Sequence, residues 1–181
     1  MTKFYIVRHG QTDYNKRKII QGHLDIPLNE VGIEQAKLAA KNLKDVNFDA
    51  IFYSPLLRAK RTADEILKDH LQTSFIVAPE IMERGFGDYE GKTLSAEEPF
   101  WNYALEPKLT GKNVETLEAM KERVFPFIDK VANDYKDQTV CLVCHGGVGM
   151  IIREYFEGTP SSKNLMDYPQ MTNGEAMIFE K

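Results

Sequence analysis

Three apolar, strand-like runs of this chain each end in polar residues that are able to carry out chemistry. These residues are Arg8-His9-Gly10, Ser54 with Arg58 one helical turn further on, and His145-Gly146-Gly147. In an open sheet of parallel strands, ligands bind beyond the carboxyl ends of the strands. If these strands are neighbours, two arginines and two histidines from distant parts of the sequence meet at one edge of the sheet.

The types of these residues suit phosphoryl transfer. A phosphate monoester carries about −1.5 to −2 charges near pH 7, and Arg8 and Arg58 can each offer a planar fork of donors to its oxygens. The neutral imidazole of His9 offers a nucleophilic nitrogen at this pH. Gly10 and Gly146 leave room for backbone amides to approach an anion. We therefore predict a phosphoryl-transfer enzyme with His9 as its nucleophile.

Strand and helix patterns alternate along the chain and would position these residues. Asn29 is predicted to cap a helix, and Ser54 and Pro55 are predicted to begin the next one. A long amphipathic helix starts near Leu117, and a last strand is predicted near Glu175 to Phe179. This alternation predicts an α/β fold, a three-layer α/β/α sandwich with a mostly parallel central sheet.

The length of 181 residues and the hydrophobic share of 43% fit a single domain over residues 1–181. Within it, residues 85–112 show no helix or strand periodicity and are predicted to leave the core as a lid over the substrate. The aromatic residues there either contact an apolar leaving group or pack the segment onto the core. They are Phe86, Tyr89, Phe100, Trp101 and Tyr103.

Composition excludes several classes of protein. The net charge of −4 and the pI of about 5.6 argue against a nucleic-acid-binding surface, which normally needs a basic face. No apolar run approaches the roughly 18 residues of a membrane span, and the amino terminus lacks a signal-peptide pattern. We therefore expect a soluble, cytoplasmic protein that binds its anionic substrate in a locally basic pocket.

The two cysteines, Cys141 and Cys144, have the spacing of a redox or metal-binding pair. Thr139 to Cys144 is predicted to be a strand, however, and residues three apart in a strand point to opposite faces. We interpret the pair as small buried hydrophobic residues. His23 and His70 show no ligand spacing and are interpreted as surface residues, so no metal site is predicted.

The order and spacing of these motifs over nearly the whole chain resemble the histidine phosphatase superfamily, also called the phosphoglycerate-mutase-like family. The matching residues are Val7 to Thr12 with Asn15, Gln21-Gly22 with Asp25, Pro27-Leu28, Gly32, Gln35-Ala36, Ser54-Pro55-Leu56, Arg58-Ala59, Thr62-Ala63, Glu83, Phe86 to Lys92, and Val143 to Gly147. The resemblance implies a phosphoglycerate-mutase-like fold and a metal-independent phosphomonoesterase that needs no cofactor.

The resemblance also implies roles for particular residues. His9 would take the phosphoryl group, and Glu83 would donate a proton to the leaving group. The phosphate oxygens would be bound by the other matched polar residues and by backbone N–H groups: Arg8, Arg58, His145, Asn15, Thr12, Gln21, Gly22 and Gly146. The neighbouring acids Asp88 and Glu90 are interpreted as structural.

The substrate class is less firmly indicated than the family. Residues 85–112 contain three lysines, no arginine and five acidic residues, whereas a mutase must hold a bisphosphate. We therefore favour a phosphatase for a small phosphorylated metabolite over a cofactor-dependent phosphoglycerate mutase or a catalytically silent phospho-ligand-binding module. Arg61, three residues after Arg58, either extends the positive pocket toward a second anionic group or is a solvated surface charge. The sequence leaves a homodimer open.

Overall fold

The computed structural model describes residues 1–93 and 113–181. Five strands form one sheet in the order β3-β2-β4-β1-β5, with β1 to β4 parallel and β5 antiparallel to β1. The strands are β1 (Lys3–Arg8), β2 (Ala50–Tyr53), β3 (Ser74–Val77), β4 (Thr139–Cys144) and β5 (Ala176–Glu180). The predicted mostly parallel sheet is confirmed, and β1, β4 and β2 are direct neighbours.

The described residues form five α-helices, four of which pack on the two faces of the sheet. They are α1 (Asp13–Arg17), α2 (Glu30–Leu43), α3 (Leu57–Leu67), α4 (Leu117–Asp134) and α5 (Gly146–Glu157). Helices α2 and α3 pack on one face, in a cluster that includes Val7 and Val143. Helices α4 and α5 pack on the other face, around Ile6 and Leu142. Adjacent strand residues therefore serve opposite layers, as in a three-layer sandwich.

The two cysteines follow this alternation. Cys141 packs with the α2 and α3 layer and Cys144 with the α4 and α5 layer. Both thiols are free and buried, which agrees with their interpretation as small core residues. His70, in contrast, is not the surface residue that was predicted, because its ring is buried against Phe48.

The helix starts show one correct and one wrong prediction. The Asn29 side chain accepts a hydrogen bond from the N–H of Gly32 and caps α2, as predicted. Ser54 does not cap α3, which begins at Leu57 without a side-chain cap from its preceding residue. The N–H of Leu57 instead donates to Asp25 Oδ1 at 2.7 Å, and the Ser54 hydroxyl accepts a long hydrogen bond from the N–H of Leu56 at 3.4 Å, just before the helix.

Only part of the predicted lid lies within the described residues. Phe86 is buried, and Gly87–Tyr89 form a short 3-10 turn. Phe100, Trp101 and Tyr103 lie outside the described residues. Within the ranges that the structure describes, no helix is long and apolar enough to cross a membrane.

A close backbone crossing fixes the segment that follows β1. A Cβ atom on Gly10 would lie 2.2 Å from the carbonyl oxygen of Gly32, and one on Gly32 would lie 2.0 Å from the carbonyl oxygen of Gln11. Both distances are far below van der Waals contact, so neither position has room for a side chain. The crossing places the residues after β1 directly against the first turn of α2.

We expect Gly32→Ala to lower the free energy of unfolding by about 1–3 kcal/mol, because the added methyl group would push two backbones apart. Glycine-to-alanine changes inside helices ordinarily stabilise by up to about 1 kcal/mol, so the sign of the effect is the test. Urea denaturation measures it. Asn42→Ala, at an exposed position of the same helix, is the control and should leave stability nearly unchanged. A stabilised Gly32→Ala variant would contradict the crossing.

Candidate active site

A cavity of about 400 Å³ opens at the carboxyl ends of β1, β2 and β4. Eight of the residues predicted for the site line it: Arg8, His9, Asn15, Gln21, Gly22, Arg58, Glu83 and Gly146. His145 lies next to this group but is fully buried, with its ring centroid 5.1 Å from that of His9. Segments far apart in sequence are thus brought together at the predicted edge of the sheet.

His9 is held in one orientation and one tautomer. Its backbone N–H donates to the carbonyl of Cys144, and its own carbonyl accepts from Asn173 Nδ2 at 2.8 Å. Nδ1 of the ring lies 2.7 Å from the carbonyl oxygen of Gly10. A carbonyl can only accept, so the ring proton resides on Nδ1 and the lone pair of Nε2 is free. Only 2% of His9 is exposed, yet the ring lines the cavity.

His145 adopts the opposite tautomer. Nε of Arg58 donates to His145 Nδ1 at 3.2 Å, so the proton of the ring is on Nε2. That Nε2 lies 2.8 Å from the hydroxyl oxygen of Ser54 and donates to it. Arg58 therefore fixes the tautomer of His145, and the Ser54 hydroxyl accepts the ring proton.

Both imidazoles are kept neutral. Burial, followed by the charges of Arg58 and Arg8, lowers the pKa of His9 well below its usual value. Burial and the charge of Arg58 likewise lower the pKa of His145 well below that value. Two neutral rings therefore lie beside two guanidinium groups, and only His9 presents an unprotonated nitrogen that is free of a hydrogen bond.

The two arginines lie among neutral acceptors, with Arg58 buried and Arg8 half-buried. Arg58 is 1% exposed and donates from its two terminal nitrogens to the carbonyl oxygens of Leu24 and Gly22, each at 2.8 Å. Burial lowers the pKa of Arg58 to about 10, so it remains charged at pH 7. Arg8 donates to the carbonyl of Met171, while its Nε is buried without a partner within the described residues. The cavity floor is thus positive.

Two glycines at the start of α5 allow close approach to the charged groups. A Cβ atom on Gly146 would lie 3.3 Å from Arg8 Cζ, and one on Gly147 would lie 2.5 Å from Glu83 Oε1. The N–H of Gly147 donates to Glu83 Oε2 at 3.1 Å. The positive end of a twelve-residue helix is therefore directed at the cavity.

Glu83 is held by backbone groups on its own segment and across the cavity. Besides the bond from α5, its Oε1 accepts from the N–H of Arg84 at 2.9 Å. Its carbonyl oxygen lies 2.8 Å from His23 Nε2 and accepts from Arg123 at 3.3 Å. Among the described residues that line the cavity, Glu83 is the one that carries a carboxylate, and these hydrogen bonds fix its position.

The segment after Glu83 is braced by the first turns of α4. Arg123 donates to both carboxylate oxygens of Glu115, at 2.7 and 3.0 Å. Glu115 Oε2 also accepts from the N–H of Gly85 at 3.0 Å. Burial alone would raise the pKa of Glu115, but the hydrogen bond and charge of Arg123 outweigh it and the pKa is lowered. This half-buried ion pair fixes the backbone that carries Glu83.

Glu90 has the structural role that was predicted. Its Oε1 accepts from the N–H groups of His23 and Phe86, at 3.0 and 2.9 Å. Gly22 adopts a positive φ of 51°, and a Cβ atom there would lie 2.0 Å from the same oxygen. Glu90 therefore ties the loop that supplies acceptors to Arg58 to the segment that carries Glu83.

Besides the buried His145, two predicted site residues lie outside the cavity. Thr12 is fully buried behind it, where its hydroxyl contacts Gln21 Oε1 at 2.8 Å and caps α1 by accepting from the N–H of Asn15. Arg61 is 47% exposed and pairs with Glu65 at 2.7 Å. Of the two interpretations of Arg61, the structure favours a surface charge, since its guanidinium is occupied on the outer face of α3.

Sequence reasoning missed part of the cavity wall. The residues not predicted to line it are Gln11, Lys18, Gly147, Met166, Gln170 and Asn173. Three of them belong to residues 166–173, which carry no strand or helix periodicity that could have placed them. Gly147 and Gln11 stood within the quoted motifs, so their motif positions were an available signal.

The buried neutral histidines predict a loss of stability in acid. Their folded-state pKa values lie below the value of about 6.5 in the unfolded chain, so below that pH the unfolded state binds more protons than the folded state. The free energy of unfolding should therefore fall by about 1 kcal/mol per histidine between pH 7 and 5.5. Urea denaturation measures this fall. His9→Gln should show a clearly smaller loss than the wild type, and an equal loss would contradict the prediction.

The comparisons with known proteins agree with this geometry. Residues 4–180 match the family model of the histidine phosphatase superfamily (branch 1). Phosphatase PhoE of Bacillus subtilis is 38% identical over 161 residues, which cover 88% of this chain and 80% of that protein. The structure of Bacillus stearothermophilus YhfR aligns with a TM-score of 0.88 and 28% identity, over 99% of this chain and 91% of that one.

A second solved structure shows the same fold. The mycobacterial glucosyl-3-phosphoglycerate phosphatase in complex with VO3 aligns with a TM-score of 0.85 and 26% identity, over 97% of this chain and 90% of that one. The family resemblance seen in the motifs is therefore confirmed. The chain belongs to the histidine phosphatase superfamily and is a phosphatase.

Proposed function

We propose that this phosphatase is a metal-independent phosphomonoesterase that acts through a phosphohistidine on His9 and hydrolyses a small phosphorylated metabolite. The observation that carries the proposal is the free Nε2 of His9, which lines a cavity whose floor holds the guanidinium groups of Arg8 and Arg58. Nucleophile and anion-binding groups thus share one small space. The glucosyl-3-phosphoglycerate phosphatase described above, which is similar in fold, supports the same use of the fold.

In the first step, the Nε2 lone pair of His9 attacks phosphorus in line with the ester oxygen. The P–N bond forms as the P–O bond breaks, and Glu83 gives its proton to the departing oxygen. Arg8 and Arg58 bind the equatorial oxygens, where negative charge spreads in the transition state. The guanidinium groups are already oriented, so little reorganisation is needed when this charge develops.

In the second step, water attacks the phosphohistidine. The carboxylate of Glu83 accepts a proton from that water, the P–N bond breaks, and inorganic phosphate leaves. His9 returns to the neutral tautomer in which Nδ1 donates to the carbonyl of Gly10. Each turnover therefore restores Glu83 and His9 to their starting protonation states.

Positive charge for this chemistry comes from two arginine side chains and from one helix end. Arg8, Arg58 and the amino-terminal end of α5 surround the position of the phosphate, and burial does not discharge Arg58 at pH 7. Within the described ranges, no three His, Cys, Asp or Glu residues are grouped so that they could hold a metal ion. A mutase reaction finds less support, because Arg61 is paired on the outer face of α3 and adds no charge to the cavity.

We expect His9→Ala to abolish turnover of p-nitrophenyl phosphate, with activity reduced at least about 10³-fold, because no other free nucleophilic nitrogen among the described residues faces the phosphate. Rapid quenching of wild-type enzyme and ³²P-labelled substrate with alkaline SDS should trap an acid-labile, base-stable phosphoenzyme that the variant lacks. His70→Gln, at the opposite edge of the sheet, is the matched control and should retain both signals. Substantial hydrolysis by His9→Ala would show that the mechanism is wrong.

We expect Glu83→Gln to slow alkyl phosphates by about 10²-fold or more while slowing p-nitrophenyl phosphate much less, since nitrophenolate leaves without needing a proton. The ratio of kcat/KM for the two substrates measures this difference. Glu80→Gln, an exposed carboxylate three residues away, is the control and should leave the ratio unchanged. Equal slowing of both substrates would count against Glu83 as the proton donor.

A further inference from the structure

The cavity holds more positive charge than a phosphate group requires. Three cations, Arg8, Arg58 and Lys18, and one carboxylate, Glu83, line it among the described residues. A monoester phosphate carries at most about two negative charges, which the two arginines balance. When Glu83 carries the proton for the leaving group, the charge of Lys18 has no counterpart in the site.

Lys18 is fixed at its backbone. It follows α1 in the left-handed conformation, with φ 55° and ψ 41°, and its N–H donates to the carbonyls of Asn15 and Tyr14. The next residue, Ile19, is buried and forms a β-bridge with Thr93. An L residue other than glycine adopts this conformation at a cost of about 1–2 kcal/mol. The ammonium group therefore extends from an anchored position on the cavity wall.

The Lys18 side chain is also not used by the fold. It is exposed, and within residues 1–93 and 113–181 it has no hydrogen bond or ion pair. Lys16, two residues earlier in the sequence, is also exposed but does not line the cavity. The other unpredicted polar residues of the wall, Gln170 and Asn173, are neutral, so they do not compensate the charge of Lys18.

We infer that Lys18 is a specificity-determining residue that binds a second anionic group, a carboxylate or a second phosphate, on the leaving-group side of the substrate. The inference rests on the proposed function, because it takes Arg8 and Arg58 as the ligands of the transferred phosphate. Lys18 thereby takes the role of contacting a second anionic group that the sequence suggested for Arg61, whose charge is already paired with Glu65. The substrate class is then an anionic metabolite phosphate rather than a neutral alcohol phosphate.

The test uses substrate pairs that differ in one charge. 3-Phosphoglycerate and glycerol 3-phosphate differ by a carboxylate in place of a hydroxymethyl group, and fructose 1,6-bisphosphate and fructose 1-phosphate differ by a second phosphate. We expect wild-type kcat/KM to favour the anionic member of at least one pair by about tenfold, the effect of one charge-assisted contact. The pair that shows the preference identifies the anion, and added KCl should reduce it.

Variants of Lys18 assign that preference to one side chain. Lys18→Asn removes the charge while supplying a residue that tolerates the left-handed conformation, so it should fold and reduce the preference to about twofold or less. Lys18→Arg should keep the preference, and Lys16→Asn should leave it at the wild-type value. If wild type shows no preference in either pair, or if Lys18→Asn retains it, the inference is wrong.

The experiment also separates this inference from the proposed function. Trapping of the phosphoenzyme depends on His9, and the substrate used for it, p-nitrophenyl phosphate, carries no second anionic group. If trapping succeeds while both substrate pairs are hydrolysed without preference, the inference about Lys18 fails and the mechanism stands. If no phosphoenzyme forms, the proposed function fails, whatever the preference.

Discussion

Two guanidinium groups that have no carboxylate partner among the described residues, that of the buried Arg58 and that of the half-buried Arg8, are the constraint on which the rest of this site depends. Moving a charge out of water costs several kcal/mol unless other groups replace the lost hydration. Arg58 recovers part of that cost from the carbonyls of Gly22 and Leu24 and from His145, and Arg8 recovers part from the carbonyl of Met171. The loops that supply these acceptors must therefore lie where they do. Because all the acceptors are neutral, the positive charge remains available to an anion in the cavity.

The same charges determine the state of the histidines. A protonated imidazole beside Arg58 would add a further buried positive charge, so the pKa of His9 and that of His145 are both lowered by burial and then by Arg58. Neutral imidazoles still have two tautomers, and their neighbours select between them. The Gly10 carbonyl holds the proton of His9 on Nδ1, whereas donation from Arg58 to Nδ1 of His145 leaves the proton of that ring on Nε2, where Ser54 accepts it. His9 and His145 are thus both neutral imidazoles and differ only in the hydrogen bonds that their ring nitrogens make.

The sequence was informative wherever function is carried by residues at the ends of apolar strands. The placement of Arg8, His9 and His145 follows from strand periodicity and parallel pairing, both of which are local patterns. The roles of Ser54 and Arg61 depend on partners that meet only in the folded chain: the Ser54 hydroxyl accepts from the ring of His145, and Glu65 pairs with the Arg61 guanidinium. Residues 166–173 have no periodicity, so their position beside the cavity follows only from tertiary packing.

The cavity thus has two parts that are built differently. Around the phosphate position, backbone crossings such as Gly10 with Gly32, and contacts such as Gly147 with Glu83, leave no room for a larger side chain. A side chain at Gly10 would have to move a backbone, and one at Gly147 would displace the Glu83 carboxylate, so the geometry of phosphoryl transfer tolerates little change. The rim, in contrast, includes the exposed side chain of Lys18, which has no hydrogen bond or ion pair among the described residues. Substitutions at the rim should cost little stability, and for that reason we infer that residues of the rim select the leaving group.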